Sequence, residues 1–232
     1  MAIMFSSIYE KAIGLFDDPK LTIAYKTNKL LFYKMMYPFL KNSFALFTNP
    51  LQIANELSDY TEPSGTMEIF ESDGSTITFK LEFIPEKDSL FQFTANGVKV
   101  DAEYNPESNT VTFSEVIEQG QEYSIEAYSC GCFNSDFNLT SKSVTNQAIK
   151  LQIEDILARF VVIAWGEKTR NFLLDIQNIL TDTDFKLHPQ SQALKSKLLW
   201  LEQLHEEICR FQNKLGITIR FSNNANWGRR VW

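Results

Sequence analysis

The best metal-binding candidates in the sequence are three cysteines and one histidine. Cys130-Gly131-Cys132 holds two thiols, and His205 and Cys209 lie one turn apart on the same face of a predicted helix. Four soft ligands of this kind would suit tetrahedral zinc. In the alternative interpretation, Cys130 and Cys132 end a strand and Cys209 is a small core residue. Paired zinc-binding thiols are usually two to four residues apart, so the spacing favours the structural interpretation and we predict no cofactor.

Residues that could act as acid, base or nucleophile are sparse. Asp182 and Asp184 could form a carboxylate pair, but they lie between predicted helices, where capping favours Asp. The only histidines are His188 and His205, and there is no phosphate-binding glycine loop, nucleophile elbow or His-Glu-x-x-His pair. We therefore predict no catalytic residue and no enzymatic activity. The remaining enzymatic alternative is a metal-dependent hydrolase that uses Cys130, Cys132 and His205.

The C-terminal segment has the composition of a binding arm. From Ile217 to Trp232 it contains no acidic residue, and the run from Ser222 to Asn226 has low helix propensity. Arg and Trp dominate binding hot spots. We predict partner contacts at Arg220, Trp227, Arg229, Arg230 and Trp232. The alternative is a tail that packs on its own domain or stays disordered, and the acidity of the whole chain disfavours nucleic acid as the partner.

Before residue 65, apolar residues are spaced as they are on one face of a helix. Ser7 and Glu10 suggest a capping box, and Asp18-Pro19 suggests an N-cap followed by Pro at the first helical position. A third helix is predicted from about Lys29, with Pro38 expected to kink or restart it. Asn49-Pro50 is expected to open a last short helix over residues 51 to 57.

From Gly65 the apolar period changes to two. Alternation predicts a strand over residues 77 to 83, another through Phe91 and Phe93, and a return strand over residues 98 to 104. Asn96-Gly97 is typical of a type I′ hairpin turn. Six or seven short strands in about 65 residues suggest a small β-sandwich, with acidic side chains mostly on its outward positions.

Beyond residue 140 the helical period returns. One helix is marked by apolar residues from Ile149 to Ala164, and Gly166 is a candidate bend. Pro189 can open a final helix with a near-heptad stripe that runs from Leu194 to Leu215 and forms the core of the fold or of a ring. Gly216 is expected to end this helix.

Composition and charge agree with this division. Of 232 residues, 44% are hydrophobic, and there is no signal-peptide pattern or membrane-spanning apolar run, so we expect a soluble protein made inside the cell. Net charges are 0, −11 and +4 for residues 1 to 64, 65 to 140 and 141 to 232. We predict an α+β protein: a helical bundle frame over residues 1 to 64 and 137 to 232, with a β-sandwich (Ig-like) insert over residues 65 to 136.

Several segments resemble the head-to-tail connector, or neck adaptor, proteins of tailed bacteriophages. The likeness begins with Ser7 to Pro19 and Met35 to Leu40. In the insert, Asn109 to Phe113, Gly120 to Ile125 and Tyr128 to Phe133 resemble sandwich modules of phage structural proteins. The segments similar to the adaptor helical frame are Asp155 to Ala158, Trp165, Asp184 to Lys186 and the long last helix.

The resemblance implies a structural virion protein located at the phage neck. Such proteins form homo-oligomeric rings, commonly of twelve copies, under the portal protein, with the C-terminal segment reaching onto the portal. Other neck or tail proteins are further partners, and DNA passes through the ring without sequence-specific binding. No membrane is involved. The alternative from a different class is a carbohydrate- or receptor-binding module whose exposed aromatic side chains stack on sugars.

Overall fold

The chain has the α+β class that the sequence predicts. A computed structural model describes residues 2–16, 18–86, 88–181 and 188–224, with side chains described except at 172–181, 188–194 and 224. Its helices are α1 (Phe5–Ile13), α2 (Pro19–Thr27), α3 (Lys29–Leu46), α4 (Leu51–Glu56), α5 (Ser143–Thr181) and α6 (His188–Asn224). Its strands are β1 (Tyr60–Thr61), β2 (Ser64–Glu71), β3 (Thr78–Lys80), β4 (Leu90–Ala95), β5 (Val98–Lys99), β6 (Ala102–Asn105), β7 (Thr110–Phe113), β8 (Glu122–Ser129) and β9 (Cys132–Phe133).

The chain forms two compact units. A helical unit contains Met1–Thr61 and Cys132–Trp232, and a strand unit contains Glu62–Gly131. The borders predicted from the sequence lie at 64/65 and 136/137. The difference at the second border arises because β9 pairs antiparallel with β1, matching Tyr60 with Phe133 and Thr61 with Cys132. Residues 132 and 133 form a strand, as the residues of the insert do, but this strand belongs to the helical unit.

Helix α5 lies at the centre of the helical unit and contacts α1, α3 and α6. Its buried face includes Ile149, Ile153, Ile156, Leu157 and Phe160. Aromatic side chains hold the short β1–β9 pair against the helices: the Phe133 ring lies 5.0 Å from Phe5 and 5.1 Å from Phe44. Burial of the apolar face of α5 stabilises this long helix more than its local propensity does.

Two of the predicted helix signals have different outcomes. Asp18 caps α2 as predicted, because its side chain accepts a hydrogen bond of 2.9 Å from the Lys20 amide. The capping box at Ser7 is wrong: Met4 is the N-cap of α1, and Ser7 lies inside the helix, with its hydroxyl 2.8 Å from the Met4 carbonyl oxygen. Glu10 instead accepts a hydrogen bond of 2.7 Å from Lys29, which lowers the pKa of its carboxyl.

Helices α3 and α5 each continue through a residue at which the sequence suggests a kink or a bend. Pro38 lies inside α3, which continues to Leu46 without restarting. Gly166 lies inside α5, where a Cβ would approach Leu201 Cδ2 of α6 to 2.7 Å. The glycine therefore permits close approach of two helices. Within the described ranges, no helix combines the length and the apolar composition needed to cross a membrane.

The strand unit contains two antiparallel sheets with orders β2-β8-β4-β5 and β3-β7-β6. Both contribute to one core of Leu81, Ala95, Val111, Phe113, Tyr123 and Ile125. The predicted turn at Asn96-Gly97 is confirmed, with φ values of 50° and 76°. The predicted return strand is divided between the sheets: β5 pairs with β4, and β6 pairs with β7.

Candidate interaction site

The predicted arm begins inside a helix rather than after one. Helix α6 continues through Gly216 to Asn224, so the prediction that it ends at Gly216 is wrong. Leu215 and Ile219 on either side of the glycine are buried, and their burial favours helix despite the low local propensity. Arg220 lies exposed on this last part of α6. The other predicted contacts, Trp227, Arg229, Arg230 and Trp232, lie outside the described residues.

Opposite the buried face, the end of α6 has a basic and apolar surface. Lys214, Ile217, Arg220 and Phe221 are three or four residues apart, so their side chains project from one side of the helix. Phe221 is 73% exposed and Ile217 is 54% exposed. We call these four residues the C-terminal patch. It combines cations with exposed apolar area immediately before the segment that contains Trp227 and Trp232.

Contacts with α5 hold the helix that bears the patch. Arg159 of α5 lies 3.4 Å from a Glu207 carboxylate oxygen, and its guanidinium carbon lies 4.5 Å from the centre of the Phe211 ring. Buried side chains Leu201, Leu204 and Ile208 lie on the same helix face. The C-terminal patch is therefore presented by a packed helix, which reduces the entropy that docking would cost.

The metal hypothesis gains no geometric support. In the described part of the chain, no three His, Cys, Asp or Glu side chains are grouped so that they could hold a metal ion. His205 Nε2 lies 3.7 Å from Glu167 Oε1, Cys209 is exposed, and Cys130 is buried. None of the three cysteines forms a disulfide. Asp182 and Asp184, the candidate carboxylate pair, lie outside the described residues.

Met35 to Leu40 and Trp165, which the sequence marks only as points of resemblance, come together along a groove in the helical unit. It has a volume of about 480 Å³ and is lined by Met35, Met36 and Phe39 of α3 and Trp165, Lys168 and Thr169 of α5. We call it the α3–α5 groove. Lys168 Nζ lies 5.5 Å from the Phe39 ring centre, and Lys197 Nζ lies 5.5 Å from that of Trp165. The paired methionines were a visible signal, since Met suits adaptable binding surfaces.

The described aromatic side chains of the strand unit are partly or fully buried. Phe70, Phe79, Phe83, Phe91, Phe93 and Tyr104 pack against its core. Among the described residues of this unit, the exposed large apolar side chains are aliphatic: Met67, Ile69, Ile84, Val98 and Val116. The carbohydrate-binding alternative therefore has less support than the sequence suggests, because none of these aromatic side chains is among the exposed ones.

Most acidic side chains of the strand unit are exposed, as the sequence pattern predicts. Glu68 is an exception because it is half-buried on β2. Its Oε1 accepts hydrogen bonds from the amides of Glu82 and Phe83, at 2.9 and 3.1 Å. This carboxylate fixes the start of the loop between β3 and β4.

Comparisons of the chain with models of protein families, with curated proteins and with solved structures find no match in any of the three sets.

Proposed function

We propose that this chain is a structural virion protein of a tailed bacteriophage, a head-to-tail connector without enzymatic activity. Copies of the chain form a ring between the portal protein and the tail at the phage neck. In the family that the chain resembles, such a ring commonly has twelve copies. The observation that carries the proposal is the C-terminal patch: a packed helix presents Ile217, Arg220 and Phe221 to solvent directly before an Arg- and Trp-containing segment.

The chemistry of this region fits a protein partner with an acidic groove. Aromatic and arginine side chains supply both buried area and directional hydrogen bonds, and they dominate the binding energy at protein interfaces. Twelve such arms on one ring would act together, so each needs only modest affinity. In this proposal Phe221 anchors the end of α6, while Trp227, Arg229, Arg230 and Trp232 extend the contact with the portal.

Each unit of the fold has its own role in the proposed ring. A helical bundle frame makes the ring, and an Ig-like β-sandwich insert faces other neck or tail proteins. Two antiparallel sheets with a shared core support the sandwich. The packing of α1, α3 and α6 around α5 supports the bundle.

Net charge is consistent with a DNA channel that does not bind its contents. The chain has a net charge of −7, while residues 1 to 64 and 141 to 232, which include the helical frame, carry 0 and +4. The charge of the whole chain disfavours tight binding to the phosphate backbone. In the proposal, DNA therefore crosses the ring without sequence-specific contacts.

Binding to portal rings of the same phage tests the proposed function. The variant Phe221→Asp and a chain ending at Asn224 should each lose binding at least ~10-fold, because removing a buried aromatic anchor costs about 2 kcal/mol or more. Both changes spare Leu215 and Ile219, so the helical unit should stay folded. Co-sedimentation with portal rings and circular dichroism measure the two properties.

A matched control lies on the same helix. Leu199 is also exposed on α6, at 60%, but lies far from the C-terminal patch. Leu199→Asp should therefore leave portal binding unchanged. If the wild-type chain fails to bind portal rings, or if the Asn224-terminated chain binds as well as wild type, the assignment is wrong.

A further inference from the structure

The most exposed of the large apolar side chains found on the described surface belongs to an acidic loop of the strand unit. Ile84, between β3 and β4, is 85% exposed. Glu82 and Glu86 lie two positions before and two positions after it in the sequence and are themselves exposed. We call residues 82 to 86 the Ile84 loop. A single apolar side chain between two carboxylates is suited to an apolar recess with a cationic rim.

Hydrogen bonds hold the entrance of this loop in one conformation. Asn109 donates from its side-chain amide to the carbonyl oxygens of Leu81 and Phe83, at 3.0 and 2.8 Å. Glu68 accepts hydrogen bonds from the amides of Glu82 and Phe83 in the same segment. The backbone next to Ile84 is therefore fixed before any partner arrives. A preorganised anchor loses less entropy on binding than a flexible one.

The α3–α5 groove has the complementary properties. Its lining contains methionine and aromatic side chains, and none of the described residues that line it is a carboxylate. Lys168 and Lys197 lie against the Phe39 and Trp165 rings, which places two ammonium groups at its edge. A branched aliphatic side chain would fill the apolar floor, and the flanking carboxylates would meet the lysines.

We propose that the Ile84 loop of one copy of this chain docks into the α3–α5 groove of the next copy. This inference rests on the proposed function, because it names the contact that would close the ring. The two surfaces differ, so the contact is heterologous, and heterologous contacts generate rings when the rotation closes. Charge favours a second copy as the occupant, because every copy carries both an acidic strand unit and the groove with its lysines.

Cysteine cross-linking of mixed variants tests the contact. One variant carries Ile84→Cys and the other carries Met35→Cys, both in a Cys209→Ser background that removes an exposed native thiol. A short bismaleimide is added to the free protein and to the protein bound to portal rings. The dimer yield should be higher when the two variants are mixed than with either variant alone, which measures background cross-linking through the partly exposed Cys132.

Val116→Cys provides the matched control. Val116 is an exposed aliphatic residue of the same unit, at 52%. Mixed with Met35→Cys, it should give at least ~10-fold less dimer than Ile84→Cys. Equal yields from the two cysteines, or no dimer in either the free or the portal-bound state, would overturn the docking proposal.

A charge exchange tests the same contact without introduced thiols. Lys168→Glu should weaken self-association by ~5-fold or more, and Glu82→Lys in the same chain should restore it, because the two exchanged charges again meet with opposite sign. Sedimentation velocity measures the association. If the double variant self-associates more weakly than either single variant, Glu82 and Lys168 do not pair and the docking proposal is wrong.

The outcomes separate this inference from the proposed function. Portal binding without the Ile84 to Met35 cross-link would overturn the docking proposal and leave the connector assignment standing. The cross-link without portal binding would support the docking proposal and overturn the connector assignment.

Discussion

Asn109 shows how one side chain can organise a surface loop. It adopts a positive φ of 54°, a conformation that Asn tolerates better than most residues. Its amide nitrogen donates to the carbonyls of Leu81 and Phe83, and its oxygen accepts a hydrogen bond of 2.9 Å from the Tyr104 hydroxyl. In the sequence, Asn109 ends a run of turn-forming residues from 105 to 109. The partners that make it essential to the loop lie 26 and 28 positions away.

Replacing Asn109 with Ala should destabilise the strand unit by about 2 to 3 kcal/mol, because three hydrogen bonds and a favourable backbone conformation are lost together. Hydrogen exchange of peptides from β7 and β8 measures this loss. All four tryptophans belong to the helical unit, so Trp fluorescence should report unchanged unfolding there.

Asn105→Ala is the control for this substitution. Its side chain accepts a hydrogen bond of 2.9 Å from the Glu107 amide in an exposed turn, so the expected cost is only about 0.5 to 1 kcal/mol. Equal costs for the two variants would show that Asn109 acts only as a turn residue.

At the scale of elements, two glycines in long helices have different roles. Gly166 in α5 lies where a Cβ would come within 2.7 Å of Leu201 Cδ2, whereas a Cβ on Gly216 in α6 would meet Pro50 Cγ at an ordinary 3.6 Å. Neither glycine is in the left-handed region. Helix propensity favours Ala over Gly by about 1 kcal/mol at both positions.

The variants Gly166→Ala and Gly216→Ala should therefore change stability in opposite directions. Overpacking against Leu201 should exceed the propensity gain, so Gly166→Ala should lower the free energy of unfolding by about 1 kcal/mol. Gly216→Ala should raise it by up to about 1 kcal/mol. Urea denaturation followed by Trp fluorescence measures both.

Each result has a contrary outcome. Destabilisation by Gly216→Ala would mean that α6 ends there with a left-handed glycine, as the sequence pattern predicts. Stabilisation by Gly166→Ala would mean that α5 and α6 do not approach closely at this point.

On the scale of the whole molecule, the strand unit is inserted between two directly paired residues. Thr61 precedes it and Cys132 follows it, and these two residues are partners in the β1–β9 ladder. Chain entry and exit therefore adjoin, which is the arrangement in which an insertion disturbs its host least. The helical unit does not need the strand unit to connect its two halves.

Replacing Glu62–Gly131 with Asn-Gly should leave a folded helical unit, because a two-residue turn suits directly paired antiparallel residues. The shortened chain should keep cooperative unfolding and the circular dichroism of its helices. Its net charge should change from −7 to +4, which an ion-exchange profile would register. Loss of helical signal would show that the helical unit depends on the strand unit for folding.

The amino-acid sequence by itself determined the features that depend on neighbouring residues. The Asp18 cap, the Asn96-Gly97 turn and the change from a helical to an alternating period are local, because the interacting groups lie within a few positions of each other. Only the tertiary structure decided the features that depend on distant burial. Among these are the continuation of α6 past Gly216, the division of one predicted strand between two sheets, and the α3–α5 groove. In the first two, contacts between residues far apart in the chain outweigh a local preference of about 1 kcal/mol or less. The groove exists only because α3 and α5, which are distant in the sequence, pack side by side.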